Sequence, residues 1–103
     1  MKLVKAAVRS EKFEEVSSAL QSIGIEYFTF KDGHRIDKYD IQQVSYRGRS
    51  MDSAVSAEIV DVEMIVSDGD VQEAVACIKD AAYTGLPGDG KIYIIPVDDS
   101  VNI

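Results

Sequence analysis

Thr84-Gly85-Leu86-Pro87-Gly88-Asp89-Gly90-Lys91 packs three of the chain's seven glycines into six residues. Glycine takes positive φ at no steric cost, so a backbone rich in it can turn its N–H groups inward. Successive inward N–H groups make a concave anion site, and Lys91 adds a point charge at its exit. One reading is a phosphate cradle. The other is a helix stop followed by a tight turn, because Gly ends helices and Pro-Gly makes turns.

Working outward, the residues before the glycines have a helical period. Val71, Ala74, Val75, Ile78 and Ala82 form one stripe, with Ser67 or Asp68 as the cap. Cys77 flanks the stripe and reads as a small near-core residue. After the glycines, Lys91 to Val97 is a strand and Asp98 to Ile103 a short tail. Upstream, Glu58 to Val66 alternates. Val60, Val62, Met64 and Val66 share the core face, while Ile59, Asp61, Glu63 and Ile65 share a half-polar one that meets solvent or lines a cleft.

The first half repeats the plan. Leu3 to Val8 is a buried strand. Ser10 stands at an N-cap position, and Glu11, Glu14 and Glu15 suit a helix start. Phe13, Val16, Leu20 and Ile23 fall on one stripe, and Gly24 ends the helix. Ile25 to Phe30 is aromatic and β-branched, a strand by composition. Residues 31–57 are polar, with no sustained period, and read as a long excursion joining two strands, into whose base the strands can extend. The order strand, helix, strand, strand, helix, strand is a double βαβ, the ferredoxin-like α+β pattern, over one domain, residues 1–103. It predicts a four-stranded antiparallel sheet with both helices on one face. The other face needs cover, which predicts a homo-oligomer.

Composition narrows the partners. The net charge of −7 disfavours nucleic acid and anionic membrane. Residues 31–50 run the other way, with Lys31, Arg35, Lys38, Arg47 and Arg49 against Asp32, Asp37 and Asp40, so this segment is +2 and the remainder −9. A positive insert in a negative protein suits an acidic partner or a phosphate, or is simply a solvated loop. No apolar run approaches the ~20 residues that span a bilayer. The single cysteine rules out an intrachain disulfide, and Met1-Lys2-Leu3-Val4-Lys5 returns to polar residues too soon for a signal peptide. A cytoplasmic location is expected.

Catalytic chemistry finds no support. His34 is the single histidine and lies in the insert, no His/Cys cluster has metal-ligand spacing, and no serine sits in a nucleophile motif. The glycine stretch lacks the Gly-Lys-Ser/Thr ending of a P-loop. The chain is read as a binding module and not an enzyme, with no metal site.

Thr84-Gly85-x-x-Gly88-Asp89-Gly90-Lys91-Ile92 between helix and strand, Tyr46-Arg47-Gly48 in the insert, and the double βαβ together resemble the PII signal-transduction proteins over the whole chain. The resemblance implies a homotrimer with adenine-nucleotide clefts between subunits. It makes residues 31–57 the loop that docks into a transporter or metabolic enzyme, with Tyr46, Arg47, Gly48 and Arg49 in the partner-binding part. Thr29 and Glu63 would help hold adenine, with Ile65 near the ring. Thr84, Gly85, Gly88, Asp89, Gly90 and Lys91 would form the phosphate loop, with Lys38 reaching a phosphate from the insert's base.

The departures from that pattern are specific. Leu86 replaces a lysine, and Pro87 removes a backbone donor. Tyr39 stands where a glutamine helps hold Mg²⁺ and 2-oxoglutarate, and Met51 where some members carry a modifiable tyrosine. Asn102 replaces one phosphate-binding arginine, and the chain stops before the other. Each charge-assisted phosphate contact contributes on the order of 1.5–3 kcal/mol, so losing several weakens a triphosphate most. The expectation is ADP or AMP preferred, or weak ATP, with no 2-oxoglutarate response. The alternative is a structural or interaction trimer that has lost nucleotide control.

Overall fold

The computed structural model describes the backbone of residues 1–46 and 49–103, and the side chains of residues 1–36 and 57–103. Strand β1 (Lys2–Arg9) leads through a 3-10 turn (Ser10–Lys12) into helix α1 (Phe13–Ser22). Strands β2 (Thr29–Tyr46) and β3 (Arg49–Val66) follow. A second 3-10 turn (Asp68–Asp70) opens helix α2 (Val71–Ala82), and β4 (Gly90–Pro96) closes the sheet. The four strands lie in the order β2-β3-β1-β4, and every neighbouring pair is antiparallel. This is the α+β, ferredoxin-like arrangement that the pattern predicts.

The core sits between the sheet and the helices. Val4, Ala6 and Val8 of β1 and Val60, Val62, Met64 and Val66 of β3 are buried beneath Val16 and Leu20 of α1 and Val71, Ala74, Ile78 and Ala82 of α2. These positions alternate on the strands and follow the 3.6 period on the helices, so one face of each element leaves water. Phe13 and Phe30 meet with ring centroids 4.5 Å apart, tying the start of α1 to edge strand β2. At the other end of α1, the Ile25 N–H donates to the Leu20 carbonyl at 3.0 Å and the Gly24 N–H to Gln21 at 3.1 Å. With Gly24 at φ 88° this is a Schellman stop, and Ile25 then packs on the core.

Three local expectations change. Residues 31–46 and 49–57 do not form an irregular loop. Strands β2 and β3 continue into them, pairing from Thr29↔Glu63 to Tyr46↔Arg49, with a register irregularity between Ile36 and Ile41. The sequence of these residues has no sustained hydrophobic period, so alternation does not announce the pairing. The second strand begins at Thr29 and not Ile25, because Ile25 and Phe28 serve as packing residues in the connection. Ser10 is the first residue of a 3-10 turn and caps nothing, and Glu14 and Glu15 favour the first turn of α1 by charge. At the second helix, the Ser67 hydroxyl donates to Asp70 at 2.8 Å, whereas Asp68 takes the Met1 ammonium at 2.6 Å.

The sheet face away from the helices carries Leu3, Ile65, Tyr93 and Ile95 on neighbouring strands. Ile65, Tyr93 and Ile95 are 47%, 52% and 42% exposed. An apolar patch of this kind is unusual on a monomer.

Candidate functional site: the glycine loop and the open sheet face

The glycine stretch folds around its own aspartate. The Asp89 carboxylate accepts the Thr84 N–H at 2.8 Å, the Gly85 N–H at 3.1 Å and the Thr84 hydroxyl. The Leu86 N–H in turn donates to Thr84 Oγ1 at 3.2 Å. Three backbone donors of the loop's first half are therefore satisfied internally, and Pro87 has none. These hydrogen bonds, the Thr84 hydroxyl first and the Arg9 guanidinium among the others, hold the Asp89 carboxyl well below the usual carboxylate range. Gly85, Gly88 and Gly90 all take positive φ, at 84°, 91° and 127°. At Gly90 the requirement is absolute, since a Cβ would lie 1.9 Å from the Ala7 carbonyl oxygen. That close approach lets β4 enter the sheet beside β1 directly from the loop.

Two arginines that the sequence reading passes over grip this loop from the sheet. Arg9, the last residue of β1, places Nε 3.1 Å from Asp89 Oδ1 and donates from Nη2 to the Pro87 carbonyl at 2.8 Å. Arg35 of β2 donates from Nη2 to the Gly88 carbonyl at 2.6 Å. Both fall on the open face by strand alternation. Recognising them needs the register of β1 and β2 against β3, which no local motif announces.

Thr29 and Glu63 are direct cross-strand partners and together line a small cavity of about 100 Å³ with Asp61 and Lys31. Glu63 also lies 3.5 Å from Lys5 Nζ on the next strand. Ile65 is two positions further along the same face. These three predicted residues therefore share one surface. No hydrogen bond or ion pair joins these three to the glycine loop among the described residues, where the β2 side chain that reaches the loop is Arg35. The side chains of Lys38, Tyr39, Tyr46, Arg49 and Met51, and all of Arg47 and Gly48, lie outside the described residues.

The whole of this pattern is matched by one family. The family model for nitrogen regulatory protein P-II covers residues 1–103. The chain belongs to the P-II family. Among similar proteins, nitrogen regulatory protein P-II of Synechocystis sp. is 37% identical over 103 residues, covering 100% of this chain and 91% of the relative. Nitrogen regulatory protein P-II 2 of Methanothermobacter thermautotrophicus is 37% identical over 103 residues, with 100% and 89% covered. The nitrogen fixation nifHD region GlnB-like protein 1 of Methanothermobacter marburgensis is 35% identical over 105 residues, with 100% and 93% covered. P-II proteins are regulatory signal transducers, not enzymes.

The remaining chemical candidates in this P-II chain read as structural. Cys77 is half-buried between the helices, and burial, with Asp80 and Glu73 nearby, pushes its thiol up, away from the reactive thiolate. His34 is exposed on β2. Among the described residues no three His, Cys, Asp or Glu side chains gather as metal ligands. Among them, too, no helix is long and apolar enough to cross a membrane. A cavity of about 380 Å³ opens under the loop between α2 and β4. Its lining joins apolar residues such as Val75, Ile78 and Ile92 to Lys79, Tyr83 and the predicted site residues Asp89, Gly90 and Lys91, and does not include Thr29 or Glu63.

Proposed function

We infer that this P-II protein is a cytoplasmic homotrimer that binds adenine nucleotide in clefts between subunits and controls a target through residues 31–57. The observation that carries this reading is the split of the site. Thr29, Glu63 and Ile65 lie together on the open face, and the glycine loop lies at the far edge of the same sheet. On this reading a nucleotide bridges two copies and takes one set from each, and the apolar patch of Leu3, Ile65, Tyr93 and Ile95 supplies a surface for them to associate. In such a cleft Thr29 and Glu63 hold the adenine edge, Ile65 packs on the ring, and Gly88, Gly90 and Lys91 face the phosphates. Lys38 reaches the phosphates from the base of the hairpin.

The loop's internal bonding favours few phosphates. The N–H groups of Thr84, Gly85 and Leu86 are engaged inside the loop, so phosphate contacts fall to its second half. The Asp89 charge stands beside them, and Ser100, Val101, Asn102 and Ile103 carry no positive charge. ADP or AMP is therefore preferred over ATP, and with Tyr39 in the insert no Mg–ATP-dependent 2-oxoglutarate response is expected. The relatives' names, nitrogen regulatory protein P-II, support a target in nitrogen metabolism, which we take to be a membrane transporter or a metabolic enzyme.

A second reading, a structural trimer without nucleotide control, draws on the same internal bonding, since Asp89 already occupies donors that an anion would use. Calorimetric titration with AMP, ADP and ATP, with and without 2-oxoglutarate, separates the two. Binding of ADP or AMP at physiological concentration supports the sensor. No binding of any of the three supports the structural trimer, and tight Mg²⁺-dependent 2-oxoglutarate binding contradicts the predicted selectivity.

A further inference from the structure

A row of four side chains crosses the open sheet face. Thr29 of β2 pairs with Glu63 of β3, Glu63 with Lys5 of β1, and Lys5 with Tyr93 of β4. Strand alternation puts all four on the side away from the helices. Within the row, Lys5 Nζ lies 3.5 Å from Glu63 Oε1, with both side chains part-exposed. An ion pair of this kind adds little to stability. Its effect is on what Glu63 still has to offer. One carboxylate oxygen is engaged, and the described residues supply no partner for the other, Oε2. Thr29 stands directly across the ladder and lines the same small cavity. Asp61, the other carboxylate of that cavity, is two positions along β3 and has Lys31 as its own cross-strand neighbour.

The number of free oxygens decides which base a carboxylate suits. The guanine edge presents two adjacent donors, N1–H and the N2 amino group. A carboxylate with both oxygens free accepts them as a parallel pair, as it does the two N–H groups of a guanidinium. The adenine edge presents one amino donor, N6, beside one acceptor, N1. A single carboxylate oxygen next to a hydroxyl matches it, with Glu63 Oε2 accepting from N6 and the Thr29 hydroxyl donating to N1.

We propose that Lys5 is a positioning residue that makes the nucleotide site selective for adenine over guanine. By holding Glu63 Oε1 it denies guanine the second acceptor, and it leaves Oε2 for the adenine amino group. This rests on the reading that Thr29 and Glu63 hold the base, and it adds the residue that sets which base they hold. On that reading a second copy covers this face, and a charge pair interacts more strongly there than in open water.

The test compares ADP and GDP by calorimetry in the wild type, Lys5→Met and Lys5→Arg. Methionine keeps the apolar stem and removes the cation, whereas arginine keeps a cation on Glu63. Sedimentation first establishes that each variant assembles as the wild type does, and Lys5→Gln, neutral but polar, takes the place of Lys5→Met if methionine alters assembly. The wild type should bind ADP about a hundredfold more tightly than GDP. Lys5→Met should bind GDP about tenfold more tightly than the wild type does, as expected for one recovered hydrogen bond to a charged acceptor, and ADP no more tightly. Lys5→Arg should exclude GDP as the wild type does. A role in packing alone would weaken both nucleotides together, so the gain in GDP affinity is the outcome specific to base selection. The inference is overturned if the wild type binds GDP as well as ADP, if Lys5→Met gains no GDP affinity, or if Lys5→Arg gains as much. In each of these cases ADP binding by the wild type leaves the nucleotide reading standing. If the wild type binds neither nucleotide, both are overturned.

Discussion

Arg9 Nε lies 3.1 Å from Asp89 Oδ1, although eighty positions separate the two residues in the chain. The pair is largely covered, and the same carboxylate accepts two backbone N–H groups of its own loop. Its position at the meeting of β1, α2 and β4 makes Asp89 the organising residue of the phosphate-loop candidate. Its charge is its function there, which makes the loop sensitive to acid and to neutralisation.

The pH dependence follows from the lowered carboxyl. A depressed pKa in the folded state contributes stability that is complete above the ordinary value of 3.8 and fades as pH falls below it. Asp89→Asn has one acceptor oxygen for several donors and no charge for Arg9. Urea unfolding at pH 6 should show the variant less stable than the wild type, with the gap narrowing at pH 3. A gap that is unchanged or wider at pH 3 would show that ionisation of Asp89 does not hold the loop.

Gly90 and Gly24 separate two uses of positive φ. Both are left-handed, but an added Cβ meets the Ala7 oxygen at 1.9 Å in the first and nothing within 4 Å in the second. Gly24→Ala should cost about 1 kcal/mol, the backbone term alone. Gly90→Ala adds a collision between main chains and should cost about 3 kcal/mol or more. Denaturant titration of both variants checks the ranking, and equal losses would mean that β4 can shift away from β1 freely.

The open sheet face makes a prediction about assembly. Ile95 is 42% exposed beside Leu3 and Ile65, and a charge there has no partner if the face is buried between copies. Sedimentation should give a trimer for the wild type and a monomer for Ile95→Asp. A monomeric wild type, or a trimer unaffected by Ile95→Asp, would place the association elsewhere.

The parts of the fold that pack on the core were legible before the structure, and for a physical reason. Val60, Val62, Met64 and Val66 alternate because one strand face is dry, and Val71, Ala74, Ile78 and Ala82 repeat because one helix face is. Residues 31–46 gave no such signal. Their sequence has no sustained period, so the continuation of β2 to Tyr46 is carried by its pairing with β3. The glycine loop was legible as a turn with inward donors, but the identity of their acceptor was not. Arg9 and Arg35 reach the loop across 78 and 53 positions, so each becomes visible only once the strand register is known. Asp89 read as a member of a phosphate site, and its bonding shows it as the residue that shapes the glycine loop.

The most direct test of the account is a calorimetric titration of ADP into the wild type and into Lys91→Ala. Lys91 is exposed at the start of β4, where the loop enters the sheet, and loses only a cation on truncation. The account predicts one ADP per chain in the wild type and affinity weaker by about tenfold or more in the variant, as expected for one lost charge-assisted phosphate contact. Equal affinity in the two proteins, or no ADP binding by the wild type at millimolar concentration, would contradict it.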